Sequence, residues 1–221
     1  MNLSFFPKDV EAKTKREKLI ASMKTTAVNR YNASNRLIWQ SRVTFSVSTL
    51  FSLGLIFVPL MQLAKVPLSL SGDVLAAIQI FLAVAILVYS IITGTARFEL
   101  RSEQLNDCGD KIKSLIRELR VAPDDTDGES EMLGKVQKQY ESIIADVENH
   151  ERSDYILTIL RSPDLFKMSL HGRLYWWLKF GCSAIISYLP AVALVVVEIL
   201  LITDMFGITG VFSPYLISTR G

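Results

Sequence analysis

The sequence predicts an all-α integral membrane protein, and three observations carry that prediction. Half of the 221 residues are hydrophobic, where a soluble domain usually reads more polar. Two uncharged runs, 43–64 and 74–96, hold 22 and 23 residues, and 22 residues of helix reach about 33 Å, enough to cross the hydrocarbon core. A third long apolar run, 180–203, follows towards the C-terminus. The expected architecture is an antiparallel transmembrane helix hairpin, a cytoplasmic antiparallel helical hairpin of coiled-coil character, and a third transmembrane helix.

Residues 1–42 are expected to form an N-terminal cytoplasmic amphipathic helix. After Phe5, Phe6 and Pro7 the chain is charged from Lys8 onward, with Ile20, Met23, Ala27, Tyr31, Ser34 and Ile38 three or four apart on one narrow face. Trp39 and Arg42 suit a membrane interface. More than forty mostly polar residues before the first span argue against a cleavable signal. Within the hairpin, 43–96, the spans are joined by Lys65 to Asp73, where Pro67, Ser69, Ser71 and Gly72 break one helix and offer caps to the next.

Charge sets the direction. Nine Lys and Arg precede residue 43, thirteen lie in 97–179, and only Lys65 and Arg220 fall elsewhere, so the positive-inside rule places the N-terminus and 97–179 in the cytoplasm. The cysteines, Cys108 and Cys182, are expected to be reduced, packed thiols.

In 97–179, Leu105, Cys108, Ile112, Leu115 and Leu119 repeat as a heptad seam, continuing from the second span with no strong breaker, as one rod. Pro123 and Gly128 stop this helix, and Thr126 with Glu129 resembles a capping box. The acids of this turn do not match the calcium-loop spacing. A second helix is expected over about 130–160, with Val136, Tyr140, Ile143 and Val147 as its seam, zipping with the first helix or with neighbouring subunits. Tyr175, Trp176 and Trp177 then return the chain to the membrane. The tail, 204–221, is broken by Gly207, Gly210 and Pro214 and is expected outside the cytoplasm.

No phosphate loop, metal-ligand spacing or nucleophile elbow is present, so neither an enzyme nor a cofactor is expected. His150 reads as a structural histidine or a pH switch. The polar residues inside the spans are more informative. Ser46, Thr49 and Ser52 recur on the first helix at the depth of Ser90 and Thr93 on the second; these five can line a wet path, or bond between helices or back to their own backbone. Glu198 in the third span needs a partner, and its depth suggests Lys65 or Gln62.

The hairpin, the run Asn29-Arg-Tyr-Asn-Ala-Ser-Asn-Arg-Leu37, the long helix after the hairpin and Glu148-Asn-His-Glu-Arg-Ser-Asp-Tyr155 resemble the SLATT proteins, the SMODS- and SLOG-associated two-transmembrane effectors of bacterial conflict systems. Over roughly residues 20–200 the chain is most similar to the subfamily found beside reverse transcriptases. The resemblance implies a homo-oligomeric effector of the bacterial inner membrane. It would disrupt the membrane as a pore when a partner sensor or reverse-transcriptase system detects phage or a nucleotide signal. The third span departs from a two-span pattern.

Two other readings stay open. One is a non-conducting scaffold in the lipid bilayer that recruits a partner enzyme. The other is a sensor that binds a nucleotide through Arg117, Arg120, Lys135 and Lys138. Direct nucleic-acid binding is not expected, because 97–179 holds 13 basic and 16 acidic residues and no net basic field.

Overall fold

The computed structural model describes residues 5–10, 14–122 and 129–212. Its elements, in chain order, are β1 (Lys8–Asp9), α1 (Lys15–Leu63), α2 (Gly72–Thr95), α3 (Phe98–Val121), α4 (Glu129–Ala145), α5 (Arg152–Arg161), β2 (Phe166–Lys167) and α6 (Leu170–Met205). Three helical stretches, in Lys15–Leu63, Gly72–Val121 and Leu170–Met205, are long and apolar enough to cross a membrane. The chain divides into two compact units: Met1–Trp39 with Phe98–Ile186, and Gln40–Arg97 with Ser187–Gly221.

The first unit is built on α1, which begins where the Thr14 hydroxyl accepts from the Glu17 amide at 3.1 Å and the Glu17 carboxylate accepts from the Thr14 amide at 3.3 Å. This reciprocal cap fixes the start at residue 15. The expected helix from Lys8 is replaced by a short antiparallel ladder in which Lys8 pairs with Lys167 and Asp9 with Phe166. Met23 and Ala27 of α1 are buried with Cys108, Ile112, Leu115, Ile116 and Leu119 of α3 and Val136 of α4. The apolar cluster between α3 and α4 therefore has a third member, α1. Leu105 packs on Ala33 and Leu37, while Tyr140, Ile143 and Val147 are partly buried around these clusters. The contacts of Arg101 with Glu148 and of Cys108 with Ile143 run α3 and α4 antiparallel.

The helix expected over 130–160 is two helices. Glu151 caps α5 in a box with Asp154, which needs non-helical backbone at residue 151 and so ends α4 beforehand. His150 lies in the break rather than on a helix. The expected cap at Thr126 lies outside the described residues, as does the tail from 213 onward.

In the second unit, Val47, Phe51, Gly54 and Val58 form the inner face of α1 at three- and four-residue spacing, against Leu75 and Leu82 of α2 and Ala191 and Met205 of α6. Ser71 caps α2 as its hydroxyl accepts from the Val74 amide. The turn is tied to the end of α6, where the Ser69 amide donates to the Met205 carbonyl at 2.9 Å. No continuous rod joins α2 to α3. Arg97 sits in the left-handed region with φ 48°, and the Ala96 amide turns back to the Thr93 carbonyl, which stops the helix.

Candidate functional site

The two segments that carried the family resemblance meet inside the first unit. On α1, Asn29, Arg30, Asn32 and Ser34 are all buried, although an asparagine-rich helix segment would ordinarily face water. Their partners come from α3, α5 and the break before α5. Thr158, fully buried on α5, donates to the Asn29 side-chain carbonyl and accepts from the Asn32 amide at 2.9 Å. Arg36 forms a two-pronged pair with Asp154, at 3.0 and 3.2 Å, and meets Glu151 at 2.9 Å. The Asp154 carboxylate also accepts from the Glu151 amide at 2.9 Å, so one buried acid both caps α5 and anchors α1. The Ser34 and Ser102 hydroxyls are 2.8 Å apart, joining α1 to α3.

The same network sets the state of His150. Since the Asn29 carbonyl oxygen is taken by Thr158, its amide nitrogen faces His150 Nε2 at 3.1 Å as a donor, and the ring nitrogen accepts. The ring is then neutral, with its proton on Nδ1. Burial pushes the imidazole below its ordinary value, the neighbouring Arg30 guanidinium pushes it further, and Asp154 opposes them. Arg30 donates to the Glu148 backbone carbonyl. Burial raises the Cys108 thiol, with Arg30 acting against it, so the thiol stays protonated and inert.

Two carboxyls are buried among the described residues of the second unit, Glu198 and Asp204. Glu198 is 2% exposed, and neither of its oxygens has a hydrogen-bond partner among the described residues. It packs on Gly54, where an added Cβ would overlap its Oε1. Lys65 and Gln62, the partners expected from depth, do not reach it. Gly54 lies eleven residues before Lys65, about 16 Å of helix rise. The acid missed in the sequence is Asp204, which is fully buried and accepts from the Val211 amide at 3.1 Å and from Thr209 and Phe212, closing the loop after α6.

The five expected pore-lining residues turn away from this core. Ser46, Thr49, Ser52 and Ser90 are exposed and Thr93 is half-exposed. Thr49, Ser52 and Thr93 donate to the carbonyls of Phe45, Ser48 and Tyr89 on their own helices. None of these three bonds joins two helices of the unit. Cys182 is exposed, contrary to the packed thiol expected. Its surroundings on α6 are lipid-length apolar helix, where a small side chain needs no cover.

A family model described as SMODS and SLOG-associating 2TM effector domain family 5 matches residues 12–206. The chain belongs to this family. The match runs through the whole of α6, so the third apolar helix lies inside the family's matched region rather than being an appendage. It also includes both halves of the buried network. No curated protein and no solved structure matches the chain.

Proposed function

We propose that this SLATT protein is the membrane effector of a bacterial conflict system. It assembles as a homo-oligomer whose spans surround a path for ions, and a partner opens it by acting on the cytoplasmic first unit. The observation that carries the reading is the outward stripe of Ser46, Thr49, Ser52 and Ser90 in the second unit. The inner faces of the helices are filled by apolar side chains, so the stripe serves no packing within one subunit. A single subunit would present it to acyl chains, whereas an oligomer can turn it towards water or towards a neighbour. The basic residues flanking the spans support the cytoplasmic placement of the first unit. The trigger fits a sensor or a reverse-transcriptase system encoded alongside.

The test is replacement of Ser46, Thr49, Ser90 and Thr93 by leucine, with membrane depolarisation measured in cells that also carry the activating partner. Depolarisation should be lost while the protein accumulates to its normal level. Undiminished depolarisation would remove these residues from the conducting path. The bonds of Thr49, Ser52 and Thr93 to their own backbone favour a second reading, a non-conducting scaffold that recruits a partner enzyme. Planar-bilayer recordings of the purified oligomer that stay silent in every state would select it.

A further inference from the structure

The unpartnered Glu198 defines a site that the pore reading does not use. A cavity of about 10 Å³ lies against it, bounded by Gly54 and Val58 of α1, Leu75, Ile78 and Leu82 of α2, and Met205 of α6, and Glu198 also borders an open apolar groove of about 430 Å³ between α1 and α6. The cavity's volume is about the lower limit for one water molecule, and the surrounding side chains offer no hydrogen bond to hold one. An ionised carboxylate here would be a bare charge among apolar side chains, which is tolerated only with a counter-charge, and none is present in the lining of the cavity or of the groove. The charged and titratable groups of the same elements lie elsewhere. Arg42, Lys65, Asp73, Tyr89 and Tyr188 are absent from the lining, and Asp204 is engaged by Thr209, Val211 and Phe212.

A metal cation does not fit. Hard cations take several oxygen ligands, and Glu198 supplies the only side-chain oxygens in the lining. What this apolar site does fit is a proton. We propose that Glu198 is a membrane-embedded proton-binding site, holding a neutral carboxylic acid against Gly54 in the state described here. Loss of that proton would leave a charge that cannot stay against Gly54, so ionisation loosens the α1–α6 contact at this level of the second unit. The proposal stands whether or not the oligomer conducts.

The experiment uses the full-length protein in lipid vesicles exchanged into heavy water. Infrared spectroscopy at neutral pH should show the carbonyl stretch of a protonated carboxylic acid, since water-exposed acids are ionised there. The band should be lost in Glu198→Gln and shifted in Glu198→Asp. A hydrophobic carbodiimide, which reacts with protonated carboxyls in apolar surroundings, should form its adduct at Glu198 and lose it in Glu198→Gln. A helical wild-type protein with no such band, or a band that persists in both variants, would overturn the proposal. If Glu198→Gln fails to fold, the Glu198→Asp shift alone decides, and an unshifted band counts against the site.

Discussion

The α1–α5 contact of the first unit and the α1–α6 contact of the second bury polar groups in opposite ways. In the first, Asn29, Asn32, Ser34, Ser102, Asp154 and Thr158 are buried and each has a partner on another element. In the second, Glu198 is equally buried and has none. These cross-element pairs favour one packing, because any slip of α1 along α5 strands several groups at once. An unsatisfied acid does the reverse and leaves its neighbourhood responsive to a single proton. The contrast assigns rigidity to the first unit's α1–α5 contact and responsiveness to the α1–α6 contact in the second.

The sharpest way to break the comparison is Asp154→Ala. It removes the α5 cap and leaves Arg36, largely buried, without its two-pronged partner, so a loss of about 3–5 kcal/mol is expected, read as a lowered thermal midpoint in detergent. A change within the noise of a surface substitution would show that the network does not hold the unit together.

Gly54→Ala should cost less, about 1–3 kcal/mol, because the new methyl overlaps one flexible side chain. Adding Glu198→Ala should recover most of the loss, and purely additive effects of the two changes would disprove their contact. The smallest effect concerns His150. Its value is lowered in the folded protein, so the unfolded chain takes up the proton first and stability falls as pH drops below about 6.5. Protonation also sets a ring N–H against the Asn29 amide. His150→Gln should flatten that part of the melting-temperature profile, and an unchanged slope would place the titration elsewhere.

Much of this was legible in the sequence, and the limits have physical causes. Uncharged runs of spanning length and the heptad spacing of Leu105, Ile112, Leu115 and Leu119 report burial directly. Periodicity tells which face is covered but not by what, so the seam's third partner, Met23 and Ala27 of α1, could not be assigned. The narrow face of α1 was visible through those same residues. Beside it, the buried cluster from Asn29 to Arg36 had one signal, an unusual density of Asn and Arg inside a helix, which read only as a family likeness. The need of Glu198 for cover followed from its place in an apolar span. Its partner did not, because α6 continues beyond the apolar run to Met205, and Met205 is what meets the turn at Ser69, which leaves Glu198 deeper, against Gly54. The break at His150 was hidden because Glu151 is an uncommon cap whose effect depends on Asp154.

The span of chain between the two halves of the network also has a meaning in time. Arg36 and Asp154 are 118 residues apart, and Asn29 and Thr158 are 129 apart. At synthesis rates of roughly 5–20 residues per second, Arg36 waits about 6–24 seconds for its partner. During that interval both segments of the membrane hairpin emerge, and of the partners of this face of α1 only Ser102 becomes available to it, 68 residues after Ser34. The network therefore closes only in a chain in which the hairpin has already been made.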